Sequence, residues 1–163
     1  MEAGNQKETP EERVVRLLKE KNLRITAAES CTGGMIAGAL VNVAGASDVF
    51  GESYVTYSND AKQRLVGVRT ETLEQFGAVS EQTAWEMAAG AARAAGADVA
   101  LSSTGIAGPG GGTPQKPVGL VYIGCCVQGS VQVRKLRFYG SRMENRTRTV
   151  EEALRFAAEM LGG

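Results

Sequence analysis

The segment Arg24–Gly34 constrains the fold more than any other stretch of the chain. Its first half is mostly apolar, its centre is polar, and it ends in two glycines. This order predicts a strand at about residues 23–29 that stops at a tight turn and leads into a helix. In α/β proteins such a turn presents side chains and free helix N–H groups to a ligand. The turn brings together Glu29, Ser30, Cys31 and Thr32.

The rest of the chain alternates between helical and extended patterns. Further strands are predicted at about 50–57, 98–104, 118–127 and 131–138, and helices at about 10–21, 32–44, 60–66, 70–76, 81–95 and 143–161. The pattern ends in a hairpin and a helix, so the predicted fold is α/β: a three-layer α/β/α sandwich with a mixed, mainly parallel five-stranded sheet. Residues 1–8 are predicted to be disordered, and residues 9–163 to form a single domain.

The composition argues against several kinds of partner and site. Eighteen basic residues balance eighteen acidic ones, which leaves no basic field for nucleic acid. Three cysteines and no histidine argue against a disulfide framework and a metal site. The uncharged stretch 30–47 contains four glycines, so we expect a close-packed helix rather than a membrane span. The cysteine usage fits a reducing cytoplasm best, and no apolar signal segment is visible at the N-terminus. We also expect that the protein needs no cofactor.

The absence of histidine also restricts how Ser30 could react. A serine nucleophile in this chain needs a proton acceptor other than imidazole. Lys62, five residues after Tyr57, lies in the first turn of a predicted helix, from which it could point back toward Ser30. It could act there as a base or as a group that lowers the pKa of Tyr57. A lysine becomes a base only when its surroundings lower its pKa from about 10.4. A helix cap at Ser30 and a solvated Lys62 stay open as alternatives.

Two further segments suggest that an anion binds near this turn. The glycine-rich segment 104–113 follows a predicted strand, where its N–H groups could line an anion site or belong to a flexible connector. Arg142, Arg146 and Arg148 fall in the first turns of a helix, where the helix dipole disfavours cations unless an anion is bound. Because Arg142 and Arg146 are four residues apart, they are predicted to grip a phosphate together, with a solvated basic turn as the alternative.

Six stretches, in this order, resemble the carboxy-terminal domain of the CinA (competence/damage-inducible) family, whose stand-alone members include nicotinamide mononucleotide (NMN) amidohydrolases. The stretches are AESCTGG (28–34), YSNDAK (57–62), GAVS (77–80), TGIAGP with GGT (104–113), KPVG (116–119) and GSR (140–142) with Arg146. They extend over nearly the whole chain. Ser141 departs from the family pattern, in which an acidic residue precedes the arginine.

The resemblance implies that the carboxamide of NMN is hydrolysed to nicotinate mononucleotide and ammonia, in the recycling of pyridine nucleotides for NAD. It implies Ser30 as the nucleophile, with Lys62 and Tyr57 handling its proton. Substrate contacts are implied for Glu29, Cys31, Thr32, Gly33, Gly34, Thr104, Gly105, Gly108, Gly111, Arg142 and Arg146. The alternative function is a catalytically silent nucleotide-binding regulatory module of the same fold. The glycine- and alanine-rich helices are compatible with close packing in a homodimer or higher homo-oligomer.

Overall fold

One five-stranded mixed sheet lies at the centre of the computed structural model, which describes residues 6–163. Its strands are β1 (Ile25–Glu29), β2 (Tyr54–Val55), β3 (Val99–Gly105), β4 (Leu120–Val127) and β5 (Ser130–Arg137). The order across the sheet is β2-β1-β3-β4-β5. Strand β1 is parallel to β2 and β3, and only β4 runs in the opposite direction. The predicted mixed, mainly parallel sheet is confirmed.

Helices cover both faces of this sheet and complete the predicted three layers. They are α1 (Pro10–Lys21), α2 (Met35–Val41), α3 (Asn59–Val66), α4 (Thr70–Phe76), α5 (Glu81–Ala95) and α6 (Arg142–Met160). Helices α1, α2 and α6 pack against one another on one face, and α3 and α4 pack against α5 on the other. A separate apolar cluster fills each of the two interfaces with the sheet.

The predicted helix ends follow from capping side chains. Thr9 and Glu12 form a capping box at the start of α1, where Thr9 N donates to Glu12 Oε2 at 2.8 Å. Ser80 accepts from the backbone of α5, and Gly96 ends that helix in the left-handed conformation, with φ of 61°. The hairpin between β4 and β5 turns through Gln128 and Gly129, both with positive φ.

Two predicted elements are shorter in the structure, each for a local reason. The second strand keeps only Tyr54–Val55 of the predicted 50–57. Phe50 still forms an isolated bridge with Ile25, but the register shifts by one residue before Tyr54 pairs with Ala28, and the Thr26 hydroxyl donates to Glu52 O at 2.7 Å in between. The second helix begins at Met35 rather than at 32, since Gly33 and Gly34 adopt positive φ and form the preceding turn.

The stretch 30–47 therefore contains the turn after β1 and the short helix α2, which lies in one of the two helical layers. None of the helices described within residues 6–163 has the length and apolar character that a bilayer crossing requires. Of the segment predicted to be disordered, residues 1–5 lie outside the described residues. Glu8, at its end, pairs with Arg16 of α1, with 2.7 Å between Oε1 and Nε.

Helices α3 and α5 approach each other closely at a glycine. Gly90 lies in the middle of α5, and a Cβ atom built on it would come 1.7 Å from the carbonyl oxygen of Val66 at the end of α3. No side chain fits there, so this glycine sets the distance between the two helices.

We expect Gly90→Ala to lower the free energy of unfolding by about 3 kcal/mol or more, because the backbone of α3 must move away. Gly38→Ala is the matched control, since Gly38 also lies inside a helix but a Cβ there meets nothing within 4 Å. That variant should gain about 0.5–1 kcal/mol from the better helix propensity of alanine. Urea unfolding followed by far-ultraviolet circular dichroism measures both, and equal stabilities would contradict this view of the α3–α5 contact.

Candidate active site

The turn after β1 is built so that Ser30 stands at the carboxyl ends of the central strands. Ser30 N donates to Ser103 O of β3 at 2.9 Å, which continues the sheet by one bond beyond β1. Gly33 N donates back to Ser30 O at 3.1 Å and closes the turn. The Ser30 side chain is almost buried. It is therefore held by backbone bonds on both sides.

A lysine reaches this serine from the neighbouring helix. Ser58 caps α3 by accepting from Ala61 N at 3.0 Å, and this places Lys62 in the first turn of the helix. Lys62 Nζ lies 3.0 Å from Ser30 Oγ and donates to Thr56 O at 2.8 Å. The predicted approach of Lys62 to Ser30 is thus present.

The surroundings of Lys62 favour its neutral form. The side chain is 1% exposed, and among the ion pairs of residues 6–163 none involves Lys62. Burial without a carboxylate partner lowers the pKa of Lys62 to about 8. At pH 7 about a tenth of the molecules then hold a neutral amine, far more than for an ordinary lysine.

A cavity of about 370 Å³ opens in front of Ser30 and Lys62. Its volume falls within the range of about 300–1,000 Å³ that is usual for small-molecule sites. Nine of the residues predicted from the sequence line it: Ser30, Cys31, Tyr57, Lys62, Thr104, Gly105, Gly108, Gly111 and Arg142. The other lining residues were not predicted individually from the sequence, although the last three belong to the glycine-rich segment 104–113; they are Asn59, Ala78, Val79, Ile106, Ala107 and Gly110.

The structure places Glu29 away from this cavity. Its carboxylate is fully buried and accepts from Thr32 Oγ1 at 2.6 Å, from Ile36 N at 2.7 Å and from Ala37 N at 3.1 Å. Ile36 N and Ala37 N are free N–H groups in the first turn of α2, so Glu29 caps that helix from within the protein. Thr32, Gly33 and Gly34 likewise form the turn and do not line the cavity.

The two arginines of the predicted phosphate clamp point to different places. Arg142 Nη1 donates to Gly108 O at 2.8 Å and its Nη2 to the Tyr57 hydroxyl at 3.1 Å, at the rim of the cavity. Arg146 Nε instead donates to Cys31 O at 2.9 Å, behind the turn. Arg146 is not among the residues that line the cavity.

Ser141 has a clear structural role although it departs from the family pattern. Its hydroxyl accepts from Glu144 N at 3.2 Å and forms a capping box that begins α6.

The Tyr57 side chain is well exposed, and its hydroxyl accepts from Arg142 Nη2. Among the hydrogen bonds of the described residues, Tyr57 donates to neither Ser30 nor Lys62.

Asn145 is a structural residue of the site that sequence reasoning missed. It is buried, donates through Nδ2 to Ala107 O at 3.0 Å and accepts at Oδ1 from Gly140 N at 2.9 Å. These bonds tie the glycine-rich loop to the start of α6. The only signal in the sequence is that Asn145 continues the buried i, i+4 series of Thr149 and Ala153.

Cys31 lines the cavity as a neutral thiol. Burial raises its pKa to about 11, so the thiolate is scarce near neutral pH. No group of three or more histidine, cysteine, aspartate or glutamate side chains within residues 6–163 is arranged to hold a metal ion.

Comparison with known proteins shows the family to which the chain belongs. The family model described as the CinA C-terminal domain matches residues 7–161. The chain belongs to the CinA C-terminal domain family. The resemblance of the six sequence stretches to CinA proteins is thereby confirmed.

Curated and solved CinA proteins are similar over most of this chain. A CinA-like protein of Kosmotoga olearia is 54% identical over 158 residues, which are 97% of this chain but 38% of that protein's length. The crystal structure of the competence/damage inducible protein CihA from Agrobacterium tumefaciens has a TM-score of 0.89 at 46% identity, with 94% of each chain covered. A CinA superfamily protein from Klebsiella pneumoniae gives 0.91 at 37% identity, over 94% of this chain and 96% of that one.

The lowered pKa of Lys62 makes the stability of this CinA domain depend on pH. Between pH 8 and 10.5 the unfolded chain still holds a proton that the folded chain has released, so the folded state gains stability as pH rises. Below pH 8 both states hold the proton, and the cost of burying the charge is fully present. We expect the free energy of unfolding of the wild type, relative to Lys62→Met, to rise by about 3 kcal/mol across this window.

Urea unfolding of both proteins at intervals from pH 7 to pH 10.5 measures this difference. Lys135→Met, which removes an exposed lysine of β5, controls for the loss of a solvated amine. A difference between the wild type and Lys62→Met that stays constant with pH would show that the Lys62 amine is not desolvated.

Proposed function

We propose that this CinA domain is an NMN deamidase, which hydrolyses the carboxamide of NMN to nicotinate mononucleotide and ammonia. The observation that carries the proposal is the 3.0 Å contact between Lys62 Nζ and Ser30 Oγ at the wall of the cavity. A buried amine with a pKa of about 8 can accept a proton near neutral pH, so this pair can do without histidine. Because the chain spans 38% of its Kosmotoga relative, the proposal concerns this domain alone.

In the first half of the proposed reaction, Ser30 becomes acylated. Neutral Lys62 accepts the proton of Ser30 Oγ while that oxygen attacks the carboxamide carbon of the substrate. The tetrahedral intermediate collapses as the Lys62 ammonium returns the proton to the amine, which leaves as ammonia. An ester between Ser30 Oγ and the nicotinoyl group remains.

In the second half, water attacks that ester while Lys62 again accepts a proton. The C–O bond to Ser30 breaks, the proton returns to Ser30 Oγ, and nicotinate mononucleotide leaves. Lys62 is proposed as the acceptor in preference to Tyr57, because the Tyr57 hydroxyl meets Arg142 instead. No step requires a cofactor.

The backbone N–H of Cys31, next to Ser30, is proposed to stabilise the negative oxygen of each tetrahedral intermediate. Cys31 lines the cavity, and within residues 6–163 its N–H donates to no backbone acceptor. A nucleophilic serine at the end of a strand commonly uses the N–H of the next residue for this purpose.

The walls of the cavity support a mononucleotide as substrate. Arg142 brings a guanidinium group to the rim, where it suits the phosphate of NMN. Ala78, Val79 and Ile106 supply apolar surface on which a pyridine ring can pack. The chain thus offers a cation for one end of the substrate and a nucleophile for the other.

We also propose a cytoplasmic location for this enzyme. The support is that Cys31, Cys125 and Cys126 are all free and buried, which suits a reducing compartment. The homo-oligomer expected from the helices stays a prediction.

Ammonia release from NMN tests the proposal. We expect Ser30→Ala to lower kcat by at least about 10³-fold, because the nucleophile is lost. Lys62→Met should lose activity to a similar extent while it stays folded. Ser130→Ala, which changes an exposed serine at the start of β5, is the matched control and should keep wild-type activity.

Three outcomes would contradict parts of the proposal. Full activity of Ser30→Ala would exclude the nucleophile but not the substrate. A Lys62→Met variant that binds NMN more weakly but keeps its kcat would make Lys62 a substrate ligand. Tight binding of NMN by the wild type without turnover would favour the nucleotide-binding regulatory module.

A further inference from the structure

We infer that Arg146 is a positioning residue, which holds the turn after Ser30 in place and polarises its peptide groups. Arg142 alone then binds the substrate phosphate. This inference deepens the proposed function and rests on it. The two arginines have the spacing of a clamp, but their guanidinium groups point to different partners. Arg142 is exposed and lines the cavity. Arg146 is half-buried and binds the backbone of the turn.

The contacts of Arg146 fit a structural clamp on two consecutive peptide groups. Its Nε donates to Cys31 O at 2.9 Å and its Nη2 to Thr32 O at 3.3 Å. The guanidinium approaches so closely that a Cβ atom on Gly33 would lie 3.3 Å from Nη2. Gly33 also has a positive φ of 55°, which side chains rarely adopt.

The positive charge of the Arg146 guanidinium, next to these two carbonyls, affects the N–H groups of the same peptides. Hydrogen bonds from a charged donor are strong and polarise the peptide, which makes its own N–H a better donor. The carbonyl of Thr32 shares its peptide with Gly33 N, the donor that closes the turn onto Ser30 O at 3.1 Å. Ser30 O, the acceptor of that bond, shares its own peptide with Cys31 N, the N–H group proposed for the oxyanion.

Arg146 can bind a phosphate in the cavity only by giving up these bonds. Both carbonyls of the turn would lose their charged donor. Thr32 O would keep its bond from Met35 N at 3.0 Å, whereas Cys31 O has no other donor among the described residues. Arg142 meets no such conflict, because its partners are Gly108 O and the Tyr57 hydroxyl at the cavity rim. The geometry therefore assigns substrate binding to one arginine and turn geometry to the other.

The reactivity of Ser30 can be measured without any nucleotide. Phenylmethylsulfonyl fluoride reacts when Ser30 Oγ bonds to the sulfonyl sulfur, the S–F bond breaks, fluoride leaves and the serine proton passes to Lys62. Intact-mass spectrometry gives the labelling rate, and peptide mapping confirms the labelled residue. The proteins to compare are the wild type, Arg146→Gln, Arg146→Lys, Arg142→Gln and Arg148→Gln.

We expect Arg146→Gln to slow the labelling of Ser30 by about tenfold, since a polarised donor beside the nucleophile is weakened. Arg146→Lys should restore part of the rate, because it keeps the charge but loses the fork of donors. With NMN, Arg146→Gln should lower kcat and leave KM within about twofold, whereas Arg142→Gln should raise KM by about tenfold. Arg148→Gln removes an exposed arginine of the same helix and should match the wild type.

Wild-type labelling in both Arg146 variants, together with a raised KM for NMN, would overturn the inference and make Arg146 a phosphate ligand. Circular dichroism at the assay temperature checks folding, and Arg146→Lys decides the question if Arg146→Gln does not fold. If the wild type releases no ammonia from NMN but its labelling depends on Arg146, the positioning role stands and the proposed substrate falls. No labelling of wild-type Ser30 would overturn both.

Discussion

A lysine amine buried against a serine hydroxyl, without a carboxylate to balance it, is the constraint on which the rest of this site depends. Burying the charged form of Lys62 is unfavourable, and the fold has to hold the amine in place despite that cost. Thr56 O gives Nζ one acceptor, and α3 fixes the backbone from which the side chain extends. Helix α3 in turn rests on α5 at Gly90, where only a glycine allows the contact. The close packing of two helices therefore sets the position of the amine.

Backbone hydrogen bonds hold Ser30 in place, and its neighbours in the sequence have two separate roles. Ser30 and Cys31 face the cavity, whereas Glu29 and Thr32 form an internal network. Because the Thr32 hydroxyl donates to Glu29 Oε1, the Ser103 hydroxyl must be the donor in its 2.7 Å contact with Thr32. Of the four polar residues at the end of β1, two thus face the cavity and two support the turn from inside the protein.

The sequence allowed the prediction of those features that depend on local chemistry. Caps and breakers such as Thr9, Ser80 and Gly96 locate helix ends within one residue, and mostly apolar runs bounded by turn residues locate four of the five strands well. The short β2 could not be foreseen, since its pairing shifts register by one residue against β1, a strand that is distant in sequence.

The site shows the same limit. The reactive residue types and the lack of histidine pointed to Ser30 and Lys62, because few side chains other than histidine can act as the base for a serine nucleophile. The spacing of Arg142 and Arg146 suggested one shared task, yet two residues four apart on a helix diverge by enough for one to reach the cavity and the other the turn. Glu29, expected at the substrate, caps α2 instead, because an interior carboxylate at a strand end meets the free N–H groups of the next helix.

The state of the Lys62 amine can be observed directly by nuclear magnetic resonance. A protein labelled with ¹³C in its lysine side chains is titrated, and the Lys62 Cε signal is assigned by its absence from Lys62→Met. We expect this signal to titrate with a midpoint near pH 8, apart from those of exposed lysines. A midpoint at the ordinary lysine value of about 10.4 would contradict the view that a neutral Lys62 serves as the base for Ser30.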